Sequence, residues 1–439
     1  MRLEQDLDAL RMTRFHYRLI TVAGLGTLFD SLDVGIISFV LAALIGAWHL
    51  NNVMIGIVAS ISLVGMAIGA ALAGTVADRV GRRKIFLLTL AIYSLATGLS
   101  AAAMAVWMLI VFRFIVGLGL GGELPVTSTM VTEFLPRKDR GRGIVLLESF
   151  WAVGWLVAAL VSYLLIPRYG WRVGFLFGML PALYILYLRR HIPESPRFLL
   201  ETGRVSEARQ VMSRIAGREV AATDSLTLPT RQRGSLLDLF RHGQSIKTIM
   251  LWILWMSMNF AYYGMFLWLP SVLVTHGYSL VNSLKYTLIV TLVQLPGYIS
   301  AGLLIDRIGR KPVLVFYVAM SAIAAYLFGH AAGAGQVLWF GSMLSFFNLG
   351  AWGVTYAYTV EQYPTINRAT GSGWAMGVGR IGGIVGPTVV GVLLALKLGL
   401  VQVFGVFATA LLIAALAVLI LGKETKGRSL EIMNGSEKL

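Results

Sequence analysis

The chain has 439 residues, 57% of them hydrophobic and only 13% charged, with a formal net charge of +16 and no cysteine. No soluble globular domain of this length has that composition, and the missing cysteines exclude disulfides and thiolate metal sites. The positive charge is not a nucleic-acid signal, because most of it falls in loops between apolar runs, where it sets orientation across a membrane.

Residues 1–18 are polar and mixed in charge, so no cleavable signal peptide is expected. Twelve apolar runs follow, each near the length of about 20 residues that a spanning helix needs. Helices are expected because lipid offers backbone groups no partners and the runs are too long for barrel strands. The first six spans are 19–47, with Asp30 and Asp33; 53–77; 85–106; 108–134, with Arg113 and Glu123; 144–166, with Glu148, Trp151 and Trp155; and a sixth ending near Arg189. The polar middle, residues 191–247, is rich in arginine; an amphipathic helix is expected over 206–216 and a flexible linker over 223–234. Spans seven to twelve are 248–274, with Asn259, Tyr262 and Tyr263; 284–305, with Gln294; 312–329; 337–360, with Asn348, Trp352 and Tyr356; 368–394, with Arg380; and 400–421. The expected organisation is a six-helix half over residues 1–190, the linker 191–247, a second half over 248–422 and a tail over 423–439.

The chain is organised around a charged turn used twice. Gly74, Asp78, Arg79, Gly81 and Arg82 recur as Gly302, Asp306, Arg307, Gly309 and Arg310, 228 positions later (306 − 78). Glu133, Pro136, Arg140 and Gly143 recur as Glu361, Pro364, Arg368 and Gly371 at the same offset. Two motifs in one phase mark an internal repeat. Six crossings separate the halves, so both turns lie on one side, and their Arg/Lys density makes that side, with both termini, cytoplasmic. Six charges lie inside spans: Asp30, Asp33, Arg113, Glu123, Glu148 and Arg380. Each costs about 2.5–3.5 kcal/mol at a helix centre on insertion scales, so each is a functional candidate, with structural pairing the alternative. Asp30 and Asp33 share a face of their helix, as do Asn348, Trp352 and Tyr356, and Glu148, Trp151 and Trp155.

Twelve helices in two related halves with this repeated turn resemble the major facilitator superfamily, an all-α membrane fold. Residues 193–197, PESPR, are similar to the signature of its sugar porters and organic-ion transporters. The stretches LFDSLDVGIISF (28–39), GLGLGGELPV (117–126), LLESFWAVGWL (146–156), YYGMFLWLPSV (262–272) and SFFNLGAWGVTYAYTVEQYPT (345–365) resemble bacterial niacin transporters of the NiaP type.

The resemblance implies a secondary transporter of the inner membrane that imports niacin, pyridine-3-carboxylate, by rocking its two halves about a central site. The turns are then latches, topology signals alone being the alternative: Asp78 faces the positive end of the eleventh helix near Arg368, Asp306 and Arg310 belong to the repeated turn, and Arg82, Arg140 and Arg142 pair with Glu133, Glu194 or Glu361. It further implies a proton-coupling pair of Asp33 with Arg113; Asp30 is either the proton site or a residue that tunes it. Arg380 implies an anionic substrate, since guanidinium stays charged and grips carboxylates bidentately, the alternative being a structural pair with Glu148. The aromatic stripes would stack on a flat pyridine ring or pack as core, with Asn259, Gln294 or Asn348 bonding the ring nitrogen and Tyr262 and Tyr263 nearby. The expected partners are the substrate, protons and the bilayer, with no cofactor, metal or nucleic acid, and a monomer. Another aromatic acid or a sugar is the alternative cargo; a non-transporting receptor on the same fold is the alternative class. An enzyme is not expected, since no Ser/His/Asp set, His/Cys cluster or phosphate loop is present.

Overall fold

The computed structural model describes residues 12–135, 140–191, 193–216, 236–241, 244–363 and 367–426. The linker expected over 223–234 lies outside the described residues, as do the side chains of Asp78, Glu133, Arg140 and Arg142. The described chain is helical and contains no strand. In order the helices are α1 (Arg14–Trp48), α2 (Asn52–Val80), α3 (Arg82–Ala101), α4 (Val106–Phe134), α5 (Arg140–Tyr169), α6 (Arg172–Gly178), α7 (Pro181–His191), α8 (Pro196–Glu201) and α9 (Val205–Ala216). They continue as α10 (Ser245–Thr275), α11 (Leu280–Leu292), α12 (Gln294–Arg307), α13 (Arg310–Gly329), α14 (Ala334–Gln362), α15 (Arg368–Ala395) and α16 (Leu400–Leu421). Among them, eleven segments are long and apolar enough to cross a membrane, with Leu280–Arg307 counted as one.

The repeat holds at the level of helix ends. The bounds of α3 and α4 recur in α13 and α14 with both ends 228 positions on (310 − 82 and 334 − 106). Between α2 and α3, and again between α12 and α13, the chain turns on a glycine in the left-handed region, Gly81 at φ 110° and Gly309 at φ 123°. A side chain would strain both positions.

Two spans expected as single helices are interrupted. The sixth is split into α6 and α7, the eighth into α11 and α12. Each break lies just before a proline, Pro181 or Pro296, whose ring meets the carbonyl four residues back and which offers no N–H in return. At the first break Met179 N and Leu180 N turn to Leu176 O and Phe177 O at 3.2 and 3.1 Å, a tightened three-residue pattern. The expected amphipathic helix is α9, one residue longer at its start.

The helices fall into two compact units. Unit 1 comprises Met1–Ile36, Ile61–Ala158 and Tyr169–Arg231; unit 2 comprises Ile37–Ser60, Ala159–Arg168 and Gln232–Leu439. Within unit 1, α2 and α4 approach backbone to backbone: a Cβ on Gly65 would strike the Phe114 carbonyl, and one on Gly117 the Ser62 carbonyl. Small residues permit that distance, and in lipid such packing is a main source of helix association. Within unit 2 the far ends of α1 and α2 join the second half of the chain. Ser38 Oγ donates to Phe266 O at 2.9 Å, and the Ser60 and Thr388 hydroxyls bond at 2.8 Å.

Candidate functional site

The interior of unit 1 holds four charged side chains from α1 and α4. Asp33 and Arg113 are both wholly buried and form a bidentate pair, with Nη1 to Oδ1 at 3.2 Å and Nη2 to Oδ2 at 2.8 Å. The pair is saturated further: Thr97 Oγ1 donates to Asp33 Oδ1 at 2.5 Å, and Arg113 Nε donates to Ser62 Oγ at 3.1 Å. The Phe175 ring lies 5.7 Å from the guanidinium carbon. Geometry of this kind offsets the desolvation of both charges. Asp30, one turn earlier, and Glu123 on α4 are equally buried, and none of their four carboxylate oxygens has a hydrogen-bond partner. Further along α5, Trp155 is buried while Glu148 and Trp151 are half-buried.

Unit 2 carries an aromatic cluster instead. Trp255 of α10 is its centre: its ring lies 5.5 Å from Trp352 and 4.9 Å from Tyr356, both edge-on. Tyr262 stands 5.7 Å from Trp352 and 5.2 Å from Tyr263. Trp255 is fixed by its Nε1, which donates to Thr359 Oγ1 at 2.9 Å, so the cluster is anchored from one side. Asn259 donates its amide to Trp255 O at 2.8 Å. Gln294 and Asn348, by contrast, are fully buried with both amide atoms unpartnered. Orphaned amides in an apolar interior are costly, a cost that Asn259, bonded through its amide, does not carry.

Arg380 belongs to this region. Its helix, α15, packs closely on α10: a Cβ on Gly382 would strike Met256 O, and one on Gly379 would sit 2.8 Å from Asn259 Nδ2. Among the described residues Arg380 has neither a hydrogen bond nor an ion pair, and it is half-buried. A guanidinium cannot shed its proton to relieve that position. Among the described residues of unit 2 no carboxylate pairs with it.

The charged turns depart from the pairing expected of them. Glu361 is taken by Arg310, with Nε at 3.1 Å from Oε2, and by Thr425 Oγ1 at 2.5 Å. Asp306 reaches Arg310 at 3.4 Å. Arg368 donates from Nη2 to Tyr363 O at 3.5 Å, and Arg82 is buried. Glu194, expected to meet an arginine side chain, instead accepts from backbone N–H groups, Arg83 at 3.2 Å and Ser195 at 3.1 Å. Glu424 does the same in the other repeat, accepting from Arg310 and Lys311 at 3.0 Å, Thr425 at 2.8 Å and Lys426 at 2.7 Å. Burial alone would raise the Glu424 carboxyl, but these four N–H groups hold it below the ordinary value. The helix terminus is part of the reason: Arg83 lies in the first turn of α3 and Arg310 and Lys311 in that of α13, where N–H groups are unpaired and the dipole is positive, while Ser195, Thr425 and Lys426 are the acids' own chain neighbours. Glu424 escapes a sequence search for arginine partners. A signal exists, since it follows Gly309 by 115 positions (424 − 309) and Glu194 follows Gly81 by 113 (194 − 81). Trp255 carries no signal in the sequence, because a tryptophan within an apolar run reads as core.

Residues 19–435 match the sugar (and other) transporter family. A relative from Acinetobacter baylyi named niacin transporter NiaP is 48% identical over 98% of this chain and 99% of its own length. A putative niacin/nicotinamide transporter NiaP from Bacillus subtilis is 47% identical over 94% and 98%. A benzoate transport protein from Acinetobacter baylyi is 28% identical over 90% and 87%. Among solved structures, a partially occluded inward-open form of the xylose transporter XylE from E. coli superposes with a TM-score of 0.79. It covers 95% of this chain and 100% of that one at 21% identity, which is a likeness of fold.

Proposed function

This chain belongs to the sugar (and other) transporter family, in the major facilitator superfamily, and from that premise we propose that it imports niacin by alternating access, coupled to protons. The single observation that carries the substrate is Arg380: an unpartnered guanidinium on a helix packed against an aromatic cluster. Niacin is a flat ring bearing one carboxylate. The carboxylate would take the guanidinium in a bidentate grip, and the ring would lie against Trp352, Tyr356 and Tyr262. Gln294 or Asn348 has the free amide that a pyridine nitrogen needs. The names of the two relatives near half identity support the same cargo.

Proton coupling rests on a buried acid of α1, Asp30 or Asp33. The charged turns act as latches on the cytoplasmic side, where both termini lie, through Asp78, Arg82, Glu133, Arg140, Arg142, Glu194, Asp306, Arg310, Glu361 and Arg368. Glu194 and Glu424 hold the starts of α3 and α13 while the halves move as a monomer.

A second reading, another aromatic acid, is favoured by the same arginine and by the benzoate relative. Uptake of labelled niacin into proteoliposomes, competed by unlabelled niacin, nicotinamide, benzoate and glucose, separates the two. Niacin alone should compete fully. Equal competition by benzoate would shift the cargo to aromatic acids in general, and competition by glucose would defeat the reading.

A further inference from the structure

Asp33 and Arg113 use up one another inside unit 1, and that leaves two acids unaccounted for. Asp30 and Glu123 adjoin each other, with the Tyr93 hydroxyl beside them. All three residues are fully buried, and none of their five side-chain oxygens has a hydrogen-bond partner. Glu123 reaches α1 because position 26 is glycine: a Cβ there would sit 2.6 Å from Glu123 Oε1. The groups facing the pair are Tyr93 and Thr97 from α3, Asp33 from α1, Arg113 from α4 and Tyr184 from α7. The cation among them, Arg113, is committed to Asp33 and Ser62.

Two ionised carboxylates side by side in this interior would repel, and among the described residues the one cation facing them, Arg113, is already bound to Asp33. One proton between them removes one charge and lets one acid donate to the other. We propose that Asp30 and Glu123 form a two-carboxyl proton site, and that its proton is the one coupled to substrate movement. Asp33–Arg113 is then a fixed pair that holds α1 against α4. The step is a simple one: a carboxylate oxygen takes a proton from water on one side, an O–H bond forms, and the same bond breaks as the proton leaves to water on the other side. This rests on the transport reading above and names its coupling residues.

The test uses the full-length protein in proteoliposomes. Niacin accumulation driven by a pH gradient is measured beside niacin counterflow without one, for wild type, Glu123→Gln, Glu123→Asp, Asp30→Asn and Asp33→Asn. Glu123→Gln and Asp30→Asn are expected to lose accumulation above the equilibrium level yet still exchange niacin, and Glu123→Asp to recover accumulation. Wild-type accumulation by Glu123→Gln overturns the proposal. If Glu123→Gln loses exchange as well, wild type decides by infrared difference spectroscopy between acid and alkaline pH. A protonated-carboxyl band that moves on isotopic labelling of glutamate supports the shared proton, and its absence overturns it. If wild type does not transport niacin at all, the cargo reading fails, and the same infrared band still decides on the proton site.

Discussion

The two interiors come from one repeat and place their polar groups differently. Moving Asp30, Asp33, Arg113 and Glu123 forward by the repeat offset lands on Met258, Ala261, Gly341 and Ala351. Moving Arg380 back lands on Ala152, and Trp352 and Tyr356 land on Leu124 and Ser128. Among α1 and α4, unit 1 has buried acids with one buried arginine, Arg113, saturated by an aspartate. Unit 2 has kept aromatic rings, orphaned amides and one arginine with no acid. The Arg113 guanidinium is saturated by protein partners, whereas Arg380, half-buried on a helix packed against α10, has none among the described residues. Under the transport reading proposed above, the contrast would give protons to one half and the ring and carboxylate to the other.

Removing the saturated pair should cost most. Arg113→Gln leaves Asp33 as an uncompensated charge in an apolar interior, a loss of about 3–5 kcal/mol. Thermal unfolding of the purified protein should show a large fall, and Asp33→Asn together with Arg113→Gln should restore much of it. A small effect of the single change would mean that unit 1 tolerates a bare charge.

The unpaired arginine should behave in the opposite way. Arg380→Gln removes no partner, so stability should hold while niacin binding weakens. A hydrogen bond to a charged group is worth about 1.5–3 kcal/mol, so preference for niacin over nicotinamide should fall by roughly tenfold to a hundredfold. Arg380→Lys keeps the charge without the planar fork and should lose only part of that margin. Calorimetry with both ligands measures this. A Gln variant that still prefers niacin by the wild-type margin would move the carboxylate site elsewhere.

The caps on the turns come next in size. Glu424 accepts four backbone N–H groups and Glu194 two. Charge at a helix start is worth about 0.3–1 kcal/mol, and Glu424→Gln should cost more than Glu194→Gln. Folding lowers the Glu424 carboxyl from 4.5, so its contribution is complete above that pH. It is lost as pH falls below 4.5 and through the folded value, because the unfolded chain then binds the extra proton. Melting curves of wild type and Glu424→Gln should differ above pH 4.5 and converge below it.

Much of this was legible in the sequence, for stated reasons. The spans follow from runs of apolar residues, and the turns from a glycine and charges repeated in one phase. Asp33 and Arg113 stand out because charge is rare in such runs. The contact of Asp30 with Glu123 was not legible: it depends on the rotation of α4 about its own axis against α1, set by glycine contacts at positions 65, 117 and 26. The breaks before Pro181 and Pro296 were not legible, and both spans read as single helices. Proline alone decides little here, since Pro270 and Pro387 lie inside unbroken helices.

The smallest effect concerns Asp306, and its smallness is what makes it useful. Asp306 is 78% exposed and meets Arg310 at 3.4 Å, one turn away on the chain, whereas Arg310 has a closer partner in Glu361. Exposed pairs of this kind contribute about 0–1 kcal/mol, so Asp306→Asn should leave the melting temperature almost where it was. Asp306→Asn should nonetheless slow niacin uptake, because a latch acts on the balance between open and closed states and not on the fold of either. Membrane insertion, melting temperature and initial uptake rate, measured on one preparation, separate the two roles. Slowed uptake at an unchanged melting temperature marks Asp306 as part of the latch. Wild-type uptake would leave the aspartate with no role beyond orienting Arg310, and Glu361 would then carry the turn's function in unit 2.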